Sequence, residues 1–177
     1  MSNSVVAYRY AKALIDLAIE QKVVEKVNED MKFFAEVCDQ NSEFEKIMAN
    51  PIIRHDKKKA ILKKIFENRV DSVTYSIFNV LTRKNRENLI YPIAKEFQIL
   101  YNQLNQIQEA FVTTVDPLND EQREEFRKIV EQASGMKVKL EEKIDASLIG
   151  GYVLRVGDTQ IDTSVRKRIN DLKLEMA

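Results

Sequence analysis

The first 134 residues contain no glycine; the four in the chain are Gly135, Gly150, Gly151 and Gly157. Hairpins and left-handed turns draw on glycine, which alone adopts positive φ without a steric cost. So long a glycine-free stretch speaks against an all-β fold and favours helices joined by short polar links. All four glycines fall late, which predicts a different architecture there. The 177 residues allow one domain or two small ones, and 44% hydrophobic with 32% charged residues excludes disorder as the main state.

The helical part reads as six segments between about residues 4 and 105. Ser4 is placed to cap a first helix running to about Glu20. That helix carries two apolar lines, Ala7, Ala11, Leu14 and Ala18 beside Val6, Tyr10, Ala13 and Leu17. A helix apolar on nearly every face is either central or has a second partner. The next stripe, Val24, Val27, Met31, Phe34 and Cys38, is narrow and one-sided, so its cysteine reads as a buried thiol and not a nucleophile. A short helix with Phe44, Ile47 and Met48 ends at Asn50-Pro51. Asp56 is placed to cap a fourth helix bearing Ile61, Leu62, Ile65 and Phe66. Its Lys57, Lys58, Lys59, Lys63 and Lys64 read as a solvated face. A fifth carries Val73, Ile77, Phe78, Val80 and Leu81. The sixth spans about Leu89 to Asn105; with Asn88 as cap, Pro92 is its fourth residue, where a missing N–H costs no hydrogen bond.

The period then changes. Ile107 to Val115 is β-branched and closes on Asp116-Pro117, a strand and a turn. Asn119 and Gln122 form a capping-box pair before a helix with Phe126, Ile129, Val130 and Ala133, ended by Gly135. Val138, Leu140 and Ile144 alternate with charged residues as a half-buried strand. Gly150-Gly151 opens a third strand, Tyr152 to Val156, and Gly157-Asp158 turns into a short stretch around Ile161. Ser164 caps a last helix with Val165, Ile169, Leu172 and Met176 on one face. The fold class is mostly α: a six-helix bundle over residues 1–105, then a small α/β module over 106–177.

Reaction chemistry is missing from the pattern. There is no phosphate-binding loop, and the glycines do not fit a dinucleotide fingerprint. His55 is the only histidine and Cys38 the only cysteine, so neither a metal cluster nor a disulfide is expected. Neither a cofactor nor a catalytic residue is expected. Basic and acidic residues number 28 each, split as +3 before residue 106 and −3 after it. Neither part has the field of a general nucleic-acid binder. The N-terminus has neither the signal-peptide layout nor the acid-poor character of a transit peptide, and no apolar run reaches the ~18 residues of a membrane span. The expectation is a soluble intracellular chain that meets a membrane only through partners.

Tyr10-Ala11-Lys12-Ala13-Leu14 with Ala18, and Asn50-Pro51 before a lysine-bearing helix, resemble the delta subunit of bacterial ATP synthase and its mitochondrial relative, the oligomycin-sensitivity-conferring protein. The C-terminal stretch carries the strongest resemblance: Val138, Leu140, Ile144-Asp145, Leu148, Gly150-Gly151, Val153-Leu154-Arg155, Gly157-Asp158, Ile161-Asp162 and Ser164-Val165-Arg166, in order and spacing. The resemblance implies a non-catalytic stator subunit that couples rotation to proton-driven ATP synthesis. By it, the bundle binds the N-terminal helices of the alpha subunits, the C-terminal module holds the end of the b-subunit stalk, and the protein sits peripherally at the cytoplasmic face of the plasma membrane.

Combined with the two apolar lines of the first helix, this gives an expected alpha-binding groove of Val6, Tyr10, Ala13, Leu17, Ile77 and Leu81. The stalk-side signature comprises Gly150, Gly151, Arg155, Gly157, Asp158, Asp162, Ser164 and Arg166. The competing reading is a two-domain RNA-binding or translation factor, which needs a basic face with stacking aromatics. Zero net charge, the absence of tryptophan, and Phe and Tyr on core stripes count against it.

Overall fold

A computed structural model describes residues 3–175. In chain order the helices are α1 (Asn3–Glu20), α2 (Val24–Gln40), α3 (Ser42–Ala49), α4 (His55–Phe66), α5 (Ser72–Arg83) and α6 (Ile90–Leu104). There follow β1 (Ile107–Thr114), α7 (Asp120–Ser134), β2 (Lys137–Ile144), β3 (Tyr152–Val156), β4 (Thr159–Asp162) and α8 (Val165–Glu175). Single 3-10 turns occupy Glu87–Leu89 and Ala146–Leu148. The chain is mostly helical with one small sheet. It divides into two compact units, up to residue 101 and from 102 onward, so the division falls within α6, earlier than residue 105.

The first unit is organised around α2. Val27, Met31, Phe34 and Cys38 are buried, as their three-and-four spacing requires. Phe34 meets Phe66 and Phe78 with ring centroids 5.2 Å apart in both cases, and Phe66 meets Phe78 edge-on at 5.6 Å. These tilted and edge contacts join α2, α4 and α5 through the preferred aromatic geometry. Asp30 of α2 fixes α5: its carboxylate accepts from the Asp71 N–H and the Thr74 hydroxyl, both at 2.7 Å.

Several expected helix starts fall elsewhere. Ser4 lies inside α1, which begins at Asn3. Asp56 lies within the first turn of α4 and caps nothing; its carboxylate bonds Arg54 at 3.3 Å instead. Asn88 is taken up in the 3-10 turn, so α6 starts at Ile90 and Pro92 is its third residue. Proline is still tolerated there, because a first-turn N–H has no intrahelical partner. α5 is the helix with a capping aspartate, Asp71, whose side chain accepts from the Val73 N–H at 2.9 Å.

In the second unit the strands lie in the order β2-β1-β3-β4. β1 runs parallel to β2, joined by α7, and antiparallel to β3, which forms a hairpin with β4. α7 opens with the expected capping box, Asn119 Oδ1 accepting from Gln122 N at 2.8 Å and Gln122 Oε1 from Asn119 N at 3.0 Å. It closes on Gly135 at φ 67. Ala110, Val112, Leu118, Val130 and Leu154 form the core, with Phe126, Val138 and Leu140 packed against it. Ile129 and Ala133 of α7 face solvent, as does Ile144 at the end of the edge strand β2. Their apolar character does not bury them, because the sheet takes only the Phe126–Val130 side. Met176, expected on the last helix, lies outside the described residues.

Candidate interaction surfaces

α1 sorts its two apolar lines. Ala7, Ala11, Leu14, Ile15 and Ala18 are buried, whereas Val6, Tyr10 and Leu17 are half-buried and Ala13 is exposed. The alanine line turns inward because small side chains allow a close approach to α2 and α5, the helices on which α1 packs. The Tyr10 line therefore stays at the surface. Its ring is held by Arg86, whose Nη1 donates to the Tyr10 hydroxyl at 3.1 Å. On α5, Ile77 is half-buried and Val80 exposed, while Leu81 is 0% exposed. The expectation that Leu81 lines a groove is thus overturned. At 3.6 residues per turn it is rotated from Ile77 toward Phe78 and into the core. Val80, which the sequence reading left out of the groove, lies on the other side of Ile77 and is accessible.

The C-terminal signature residues fall at two places. Gly150, Gly151, Asp162, Ser164 and Arg166 come together where the 3-10 turn at 146–148 leads into β3 and β4 leads into α8. Gly151 has φ 76, and a Cβ there would lie 2.5 Å from the Thr163 carbonyl oxygen, so no side chain fits. The Val165 N–H donates to the Gly150 carbonyl at 3.0 Å. Asp162 accepts from Ser164 N at 2.9 Å, and buried Ser164 caps α8 by accepting from Lys167 N at 3.2 Å. The hydrogen bonds from Ser164 hold the Asp162 carboxyl below its ordinary range. Arg166 donates to the Ser147 hydroxyl at 2.7 Å. Arg155, Gly157 and Asp158 sit instead at the β3–β4 hairpin, where Gly157 has φ 57. All eight are legible as architecture: a tight glycine junction, a helix cap and a hairpin turn.

Sequence reasoning missed Ile149. It has φ 68, rare for a β-branched residue, and its side chain is 64% exposed. The adjoining Gly150-Gly151 pair was the only signal of unusual backbone there.

The lysine cluster of α4 is not wholly solvated. Lys58 is buried; its Nζ donates to the Met48 carbonyl at 2.8 Å and lies 3.8 Å from Glu87 Oε2. The other oxygen of Glu87, also buried, has no hydrogen-bond partner. Glu87 lines a cavity of about 90 Å³ with Phe34, Cys38, Met48 and Tyr91. Burial pushes the Cys38 thiol up to about 12, with Glu45 and Asp39 adding to the shift, so it stays protonated and unreactive at neutral pH. Among the described residues no group of three His, Cys, Asp or Glu side chains is placed to hold a metal. None of their helices is long and apolar enough to cross a membrane.

Comparison with known proteins identifies the family. The profile of the family described as ATP synthase delta (OSCP) subunit matches residues 6–176. The ATP synthase subunit delta of Cytophaga hutchinsonii is 43% identical over 173 residues, covering 98% of this chain and 94% of that one. That of Flavobacterium psychrophilum is 35% identical over 177 residues, covering 100% and 99%. Among solved structures, a chain of the Toxoplasma gondii mitochondrial ATP synthase hexamer shares the fold, with TM-score 0.73 and 22% identity over 96% of each chain. With nearly every residue from the first helix to the last inside the match, this chain belongs to the ATP synthase delta (OSCP) subunit family.

Proposed function

We propose that the chain is the non-catalytic stator subunit of a rotary proton-translocating ATP synthase, tying the catalytic head to the peripheral stalk so that the head cannot turn with the rotor. The helical unit binds N-terminal helices of the alpha subunits, and the C-terminal unit holds the end of the b-subunit stalk. The complex places it peripherally at the cytoplasmic face of the plasma membrane. Family membership supports the role. The surface line of α1 carries the alpha-binding part: Val6, Tyr10, Ala13 and Leu17 remain accessible beside a buried alanine line, with Ile77 and Val80 accessible on α5. An amphipathic helix laid into such a groove is a recurrent recognition mode.

The RNA-binding alternative has no support. Phe34, Phe44, Phe66, Phe78 and Phe97 are buried, which leaves Tyr8 and Phe111 as the exposed aromatics among the described residues, one in each unit. The test is a calorimetric titration of the full chain with two peptides, one from the alpha N-terminus and one from the b C-terminus. Saturable binding of both, without salt-dependent binding of RNA, is the expected result. Binding of neither peptide overturns the stator reading.

A further inference from the structure

We propose that the cavity between α2, α3 and the 3-10 turn leading into α6 is a binding site for a primary ammonium group on a short alkyl stem. Its anchor is the buried carboxylate of Glu87. No residue of the proposed alpha-binding line borders this cavity, so the site stands apart from the stator reading.

Glu87 is 4% exposed. Among the described residues, its Oε1 is the one buried side-chain oxygen or nitrogen without a hydrogen-bond partner. Lys58 does not meet that need. Its Nζ donates to the Met48 carbonyl at 2.8 Å and stays 3.8 Å from the other Glu87 oxygen, beyond hydrogen-bond reach. A buried charged acceptor costs stability until a donor reaches it, and the cavity that Glu87 lines is a route for one. That cavity has a buried floor and an open rim. Phe34, Cys38 and Met48 are buried with Glu87, whereas Glu45, Ala49 and Asn88 are exposed. At about 30 Å³ per water-sized group, its volume of about 90 Å³ holds roughly three heavy atoms, an ammonium and two methylenes. Phe34 and Met48 give the methylenes an apolar wall, and the carboxylate takes the N–H.

Charge selects the class of ligand. Glu87 and Glu45 set two negative charges on the lining against the single positive charge of Lys58, while the neighbouring Asp39 is already matched by Lys95 at 2.9 Å. The field reaches the floor: after burial, Glu45 and Asp39 raise the Cys38 thiol, and Lys95 offsets them only in part. A monocation restores neutrality, an anion adds to the charge already there, and an alcohol leaves it unmet. A divalent metal ion requires about six oxygen ligands. No group of three His, Cys, Asp or Glu side chains among the described residues is placed to hold one. A quaternary ammonium has no N–H to give Glu87, and a guanidinium is too broad for the floor.

The test is an NMR titration of the full chain with ethylammonium chloride, read at the amides of Cys38 and Glu87 and at the Met48 methyl. Saturable shifts centred on these residues are expected. Ethylammonium should bind at least roughly tenfold tighter than ethanol, the margin between a charge-assisted and a neutral hydrogen bond. Tetramethylammonium should leave the shifts unchanged. Ala49→Leu narrows the rim and should abolish binding at the wild-type melting temperature. Glu45→Gln should weaken binding and lessen its salt dependence. Lys58→Met with Glu87→Leu removes both buried charges together, so the bundle holds while binding is lost. If that pair fails to fold, the other two variants still decide. Nα-acetyllysine amide separates the sources of the ammonium: saturation by it assigns the site to a partner's lysine, and saturation by ethylammonium alone assigns it to a free amine. Equal affinity for ethylammonium and ethanol makes the cavity a hydration pocket only and overturns the proposal. Binding that survives Ala49→Leu, or the absence of any saturable shift, overturns it too. None of these failures touches the stator reading, because the alpha and b peptide titrations do not depend on Glu87.

Discussion

Lys58 shows what one position can conceal. Five lysines within eight residues look alike in sequence, yet Lys58 alone is buried, reaching back to the Met48 carbonyl and across to Glu87. Its one-turn neighbour Leu62 is also buried, and that shared face is the only sequence signal separating it from Lys57 and Lys59. Removing one member of a buried pair strands the other, so Lys58→Ala should destabilise by about 3–5 kcal/mol. The paired exchange Lys58→Met with Glu87→Leu should recover most of that loss or all of it; urea melts of the three proteins decide. Tyr101 gives a second test. Its hydroxyl donates to Glu25 at 2.5 Å, and this bond, aided by burial, raises the phenol to about 12. A raised folded value means the stabilisation is full below pH 10.0, the unfolded value, and is lost as pH climbs through about 12. Tyr101→Phe should therefore cost about 1 kcal/mol at neutral pH and show a weaker decline in that alkaline window. Denaturant melts at stepped pH measure it.

Elements with one unambiguous face were legible and those with two were not. The narrow stripe of α2 and the capping box of α7 fixed both helices from sequence, since in each case local chemistry and burial agree. α1 offered two apolar lines of equal spacing, and side-chain size decided between them only once α2 and α5 were in place. Leu81 was misplaced for a related reason: on a helix as apolar as α5, rotation by a fraction of a turn separates groove from core, and periodicity does not resolve it. Because Ala13 is exposed, Ala13→Asp should leave the melting temperature of the protein unchanged while abolishing binding of an alpha N-terminal peptide, where the charge would be desolvated without a partner. A lowered melting temperature would make the Tyr10 line part of the core after all. At the glycine junction, Gly151→Val forces a side chain onto the Thr163 carbonyl at a positive φ. It should disorder the second unit and lose the b peptide while alpha binding persists. Equal loss of both peptides would show that the two units are not independent.

At the scale of the molecule, the change of hydrophobic period after Leu104 and the confinement of glycine to the last third announced two architectures. The sheet order was hidden, because pairing β1 with both β2 and β3 depends on residues far apart in sequence. The fragment 1–105, which keeps the whole of α6, should give a helical circular dichroism spectrum and melt cooperatively; a disordered spectrum would make the first unit dependent on the second. The central place of β1 also bears on how the protein comes into being. Ile107 pairs with Lys137 and Ala110 with Val156, so β1 has no complete set of partners until nearly the whole chain exists. Helices α1 to α6 all precede β1 in the chain. During synthesis from the N-terminus, distant strand pairings close last and domains fold as they emerge. On the proposed assignment of the two units, the head-binding end would be finished while the stalk-binding end is still being made, and a ribosome stalled after α7 should release a protein able to hold only one of the two proposed partners.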